Sequence, residues 1–155
     1  MNNLEENLLE SFINLKGLLS QKVEQQSKSD FLTFVRMMAP SLVSDFRMGK
    51  HIQVISNKLK QLEEGEIKRL MVFLPPRSSK SVICSKLFPA WYIGRNPEHE
   101  ILTVSHSDQL SSDFGRSVRD VVNSEDFGKI FRGVQLRIDV RAAGKWKTNQ
   151  GGTYY

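Results

Sequence analysis

From Leu70 to Leu74 five apolar residues, Leu-Met-Val-Phe-Leu, follow one another without a polar break, and Pro75-Pro76 ends them. A short continuous apolar run bounded by proline reads as a strand buried on both faces, a central strand of a parallel sheet. Such a strand needs a covering layer on each side, which restricts the chain to a layered α/β architecture. The residues that follow agree with this. Val82, Ile83, Leu87 and Trp91 recur at helical spacing until Gly94-Arg95-Asn96-Pro97 breaks the pattern. Ile101-Leu102-Thr103-Val104 is a second apolar strand, residues 108–122 are helical again, and Val134 to Val140 alternates as a half-exposed strand. The resulting β-α-β-α-β order implies right-handed crossovers between strands of one sheet.

A helical preface precedes this region. Leu4, Leu8, Phe12, Leu15, Leu19 and Val23 stand three or four apart, the stripe of an amphipathic helix over the first 25 residues. Gln25 to Asp30 is polar and reads as a linker, so residues 1–30 form a helix and linker and residues 31–155 the main domain. Ser29 or Asp30 caps a second helix over Phe31, Phe34, Val35 and Met38 that should end before Pro40. A third is expected from about Lys50 to Leu62, stopped by Gly65.

At 155 residues there is room for one domain. The single cysteine, Cys84, excludes a disulfide framework, and with His51, His99 and His106 scattered there is no zinc-ligand spacing. No apolar run is long enough to span a membrane and the first residues lack the features of a signal peptide, so a reducing cytoplasm is expected. The net charge of +5 is uneven: residues 1–30 carry three bases against five acids, residues 115–155 eight bases against four acids. A basic end of this kind suits phosphate or a solvated surface equally.

Chemistry is concentrated where the first strand meets its helix, at Leu74-Pro75-Pro76-Arg77-Ser78-Ser79-Lys80-Ser81. A loop that leaves a buried strand and opens a helix with Lys-Ser has the layout of a phosphate-binding P-loop. Backbone N–H groups of the loop and the positive end of the helix would face phosphates. Lys80 would act as a point charge, Ser81 would ligate Mg²⁺ through its hydroxyl, and Arg77 would fork onto phosphate oxygens. Both glycines of the usual Gly-x-x-x-x-Gly-Lys-Ser are missing: Leu74 stands at the first and Ser79 at the second. The same octet can be read as a serine-rich turn in which Ser78 or Ser79 merely caps the helix.

Beyond the octet, several blocks recur together: Gly65 to Leu70, Phe88 to Pro97, Ser105-His106-Ser107, Phe114 to Arg119, and Gly144 to Thr148 through Gly151 to Tyr154. With the Lys80-Ser81 loop, their order and spacing make residues 31–155 resemble the ATPase domain of the large terminase subunit of tailed phages, a partial P-loop NTPase of ASCE type with a parallel sheet core. The resemblance implies an ATP-driven, Mg²⁺-dependent motor that moves DNA into a procapsid. Its implied partners are DNA, a small terminase subunit, a portal protein and further copies of the chain. It makes Lys80 and Ser81 the Walker A pair, Arg77 a γ-phosphate arginine, Ser78 and Ser79 loop contacts to ATP, and Gln53 the adenine-binding glutamine. In that family the Gly-Gly-x-Tyr segment leads on to an acidic Walker B strand and a nuclease. Residues 1–155 are therefore expected to form the front of such a domain, with apolar strand edges left unpaired and a tendency to self-associate. Two other readings are a catalytically inactive prophage remnant and a basic module that binds nucleic acid.

The remaining candidates have plainer readings. His106 lies in a polar turn, Cys84 is a small core residue, and Trp91 and Tyr92 are packing aromatics. Arg116, Arg119, Lys129, Arg132, Arg137, Arg141, Lys145 and Lys147 form either a DNA-facing surface or a solvated one.

Overall fold

A computed structural model describes residues 3–141 and 144–155, with the side chains of residues 5–137 and 144–155. Three helices come first: α1 (Asn3–Ser29), α2 (Phe31–Leu42) and α3 (Lys50–Glu63). A π-helical stretch, Val82–Leu87, runs into α4 (Phe88–Arg95). Then follow β1 (Glu100–Ile101), α5 (Asp108–Val122), α6 (Glu125–Ile130), β2 (Leu136–Arg141), β3 (Trp146–Thr148) and β4 (Thr153–Tyr154). The fold is mixed helix and sheet, with no described helix long and apolar enough to cross a membrane.

The linker read at residues 25–29 is helix instead. α1 continues to Ser29, and Asp30 alone separates it from α2. The Asp30 carboxylate accepts from Thr33 N at 2.9 Å and from Thr33 Oγ1 at 2.6 Å, an N-cap strong enough to turn the chain in one residue. The buried Ser27 explains why a polar stretch stays helical: its carbonyl accepts from Trp91 Nε1 at 3.0 Å, which ties the end of α1 to α4. α2 also runs past Pro40 to Leu42, and Leu42 packs against the core there. α3 and α5 match the expected helices, and Ser107 caps α5 by accepting from Leu110 N at 3.3 Å.

The sheet departs further from expectation. Its order is β1-β4-β3-β2, and only β1 and β4 are parallel; β3 is antiparallel to both β4 and β2. Residues 69–74, read as a central strand, pair with no strand among the described residues. Leu70, Val72 and Leu74 pack on the core, whereas Met71 and Phe73 are 78% and 81% exposed. The second apolar strand behaves likewise, since Ile101 faces the core and Leu102 and Val104 face solvent. Helices cover one face of both segments, and nothing among the described residues covers the other. The continuous apolar run was read as burial on both faces, and among the described residues only one of them is buried.

The core lies between α2, α3, the π/α4 helix, α5 and α6. Phe31, Phe34, Trp91, Phe127 and Phe131 are all fully buried, with ring centroids 4.9 to 6.5 Å apart along the contacts Phe31–Trp91, Phe34–Phe127, Phe34–Phe131 and Phe127–Phe131. Trp146 stacks on Tyr154 at 5.1 Å, and its Nε1 donates to Gly115 O at 3.1 Å, which joins the sheet to α5. Gly94 lets α4 lie directly against Phe131, the residue that follows α6. A β-carbon there would stand 2.6 Å from the Phe131 ring, which is itself enclosed by Phe34 and Phe127 and cannot swing aside. Gly94→Ala should therefore lower the stability by about 1–3 kcal/mol, read as an earlier urea midpoint at unchanged slope. Phe73→Asp, on the open face, should leave the stability within about 0.5 kcal/mol of the parent and raise the solubility limit.

Candidate functional site

The loop that the sequence singles out is set between two anchors. Before it, Val72 and Leu74 press on the core; after it, Ile83 and Leu87 are fully buried. Lys80 and Ser81 are already helical, with Ser81 at φ −66 and ψ −33, and the Ile83 N–H donates to Ser79 O at 3.1 Å. Ser78 Oγ donates to Pro75 O at 2.7 Å and closes the turn from within. Residues 74–82 together line a cavity of about 360 Å³.

The backbone of this loop is strained in a specific way. Arg77 has φ 62 and Ser79 φ 59, the only two non-glycine residues in the left-handed region among those described. That region costs an L-residue roughly 1–2 kcal/mol and suits glycine. Ser79 stands where the phosphate-loop pattern has glycine, and its backbone takes the conformation that glycine would take freely. The alternative reading, a capping serine, is not what the hydrogen bonds describe: neither Ser78 nor Ser79 accepts from a helix N–H through its side chain, and Ser78 turns back to Pro75. Among the described residues no carbonyl or side chain accepts from the backbone N–H of Ser79, Lys80 or Ser81.

Two cations border the cavity without carboxylate partners. Arg77 is exposed and Lys80 half-buried, and neither takes part in an ion pair or a hydrogen bond among the described residues. Ser81 is exposed at the helix opening. A turn with free N–H donors, a helix start and two cations without ion-pair partners among the described residues has the groups to receive an anion.

The helix that follows is widened. Phe88 N–H donates to Ile83 O, five residues back, one residue before Pro89. Proline has no N–H to give and its ring collides with the carbonyl four residues earlier, so a wide π turn upstream of Pro89 absorbs the misfit. The regular spacing of Ile83, Leu87 and Trp91 concealed this irregularity, for which Pro89 was the available sign.

Other predicted residues lie elsewhere. Gln53 is exposed on α3 and does not line the 74–82 cavity. His106 is exposed beside the α5 cap, Trp91 is core, and Tyr92 meets His99 Nδ1 at 3.0 Å. Much of the basic surface is engaged locally: Arg116 with Asp113 at 3.0 Å, Arg119 with Asp120 at 3.4 Å, and Lys129 with Glu125 at 3.0 Å and Asp126 at 3.2 Å. Arg132 reaches Glu24 at 3.9 Å and Lys145 lies over the Tyr155 ring at 4.5 Å. The side chain of Arg141 is outside the described residues.

Cys84 follows Lys80 by one helical turn. Burial pushes its thiol above the ordinary value, and the Lys80 charge opposes that rise. The thiol is therefore a built-in reporter of charge at the loop. Lys80→Ala should remove the opposing charge, raise the Cys84 pKa further and slow its alkylation at pH 8 about two- to fivefold, the weight of one charge in a half-solvated site. A rate that does not change, or that rises, would show that Lys80 points away from the helix. No protein family, curated protein or solved structure compared with the chain matches it.

Proposed function

We propose that the loop at residues 74–82 binds the phosphates of ATP with Mg²⁺, and that the chain is the nucleotide-binding part of a DNA-packaging motor of the terminase large-subunit type. The observation that carries the first half is the left-handed backbone of Ser79 at the glycine position, immediately before Lys80, with the neighbouring N–H groups free. A backbone held in a costly conformation is a mark of a site kept for its geometry. The second half rests on the order and spacing of the sequence blocks that surround the loop.

In this reading the N–H groups of Ser79 to Ser81 receive the phosphate oxygens, Lys80 and Arg77 neutralise their charge, and Ser81 offers its hydroxyl to the metal bound with the nucleotide. Gln53 is the proposed adenine contact. ATP hydrolysis is coupled to DNA translocation into a procapsid in the host cytoplasm, with a small terminase subunit and a portal protein as partners. What residues 74–82 themselves supply is binding and charge neutralisation, the larger part of phosphoryl-transfer catalysis.

The test is equilibrium binding of a fluorescent ATP analogue in the presence of Mg²⁺. Lys80→Ala should weaken it about ten- to a hundredfold, as expected for a lost charge-assisted contact. Ser79→Gly should relieve about 1 kcal/mol of backbone strain and bind at least as tightly as the parent. A wild type that does not bind the analogue, or binds it equally well after Lys80→Ala, sinks the proposal. If the chain instead binds duplex DNA with a steep salt dependence that ignores Lys80→Ala, the nucleic-acid module is the better description.

A further inference from the structure

α1 is anchored only at its end. Ser27 is buried under Trp91, and Glu24 lies 3.9 Å from Arg132. Every residue from Glu5 to Lys22 is exposed, and along this stretch Leu8, Leu9, Phe12, Ile13, Leu15, Leu18 and Leu19 are each 56% to 65% exposed. At about 1.5 Å per residue the free part is roughly 27 Å long. A lone helix of this length is marginal in water, and Gly17 weakens it by about another 1 kcal/mol relative to Ala. Its apolar surface needs a cover.

The pattern of the helix indicates which cover fits. At about 100° per residue, Leu8, Phe12, Leu15, Leu19 and Val23 fall within one arc of roughly 80°, a continuous seam. Apart from Ile13, whose counterpart is Asn14, the apolar positions are also symmetric about the point between those two residues: Leu8 is as far from it as Leu19, Leu9 as Leu18, and Phe12 as Leu15. Charge is not symmetric about the same point. Glu5, Glu6 and Glu10 occupy the first half, and Lys16 and Lys22 the second. Two such helices laid parallel would set acid against acid and base against base. Laid antiparallel, each acidic half lies along a basic half while the apolar layers still coincide.

We propose that two copies of this chain associate through α1 as an antiparallel, two-fold symmetric helix pair, Leu8 of one copy level with Leu19 of the other and Phe12 level with Leu15. The contact is isologous, so it closes as a dimer and leaves the 74–82 loop of each copy to its own chemistry.

Sedimentation equilibrium of the 155-residue chain tests this. The wild type should weigh two chains. Leu15→Glu and Leu19→Glu should each weigh one, with the near-ultraviolet dichroism of Trp91 and Trp146 unchanged, since both leucines lie far from the core. A wild type that stays monomeric up to its solubility limit overturns the proposal and leaves the seam to a partner of another kind. A dimer that survives Leu15→Glu but is broken by Phe73→Asp belongs to the exposed face of the 69–74 segment and overturns it equally. Orientation is read by mixing Leu8→Cys and Leu19→Cys chains, one of them tagged, both carrying Cys84→Ser. An antiparallel pair yields the mixed disulfide, whereas a parallel pair holds those positions about 16 Å apart and joins Leu8→Cys chains to each other.

Discussion

The burial of one helix organises this protein. The segment from Val82 to Arg95 leaves the loop and passes through the centre of the helical layer, where Ile83, Leu87, Ala90, Trp91 and Ile93 are fully buried against α2, α3 and α5. Each large apolar side chain removed from water there is worth about 1.5–3 kcal/mol, which sets the position of the segment more firmly than any single hydrogen bond. Trp91 extends that control outward. Its indole N–H holds the end of α1, its ring packs on Phe31 of α2, and Arg95 lies 4.9 Å over its face while bonding Glu63 of α3 at 2.9 Å. Three helices of the preface are thereby oriented by one turn of α4.

The loop inherits its shape from this arrangement. With Leu74 held on one side and Ile83 on the other, the intervening chain must turn within few residues, and it does so through the left-handed backbone of Arg77 and Ser79. Neither residue favours that conformation, so the strain must be borne by the buried ends. The result is a row of unused N–H groups beside two cations without carboxylates, at a helix start whose dipole has the matching sign. Packing thus produces the electrostatics.

Legibility in the sequence followed the strength of the local signal. α3 and α5 were evident because their apolar faces recur over three turns, and Gly65 marks the end of α3. The polar Gln25–Ser29 stretch misled because its helicity depends on a contact 64 residues away, the Trp91 bond to Ser27. Pro40 misled for a related reason: the packing of Leu42 keeps α2 going past it. β3 and β4 were unreadable as elements, since two or three residues of Trp-Lys-Thr and Thr-Tyr carry no periodicity. The loop was legible in composition, but Ser79 could be weighed as glycine substitute or as cap until its φ distinguished them.

By itself the sequence determined where α3 and α5 lie, where the cations gather, and that Lys80-Ser81 opens a helix after an apolar run. These follow from local periodicity and from residue types at fixed spacing, which need no knowledge of distant neighbours. Only the tertiary structure decided which faces are covered. Residues 69–74 and 101–104 are apolar throughout, yet whether an apolar face is buried depends on what packs against it, and here helices cover one side while Met71, Phe73, Leu102 and Val104 remain in water. The same holds for α1, whose seam is written in its sequence but whose exposure is a property of the fold.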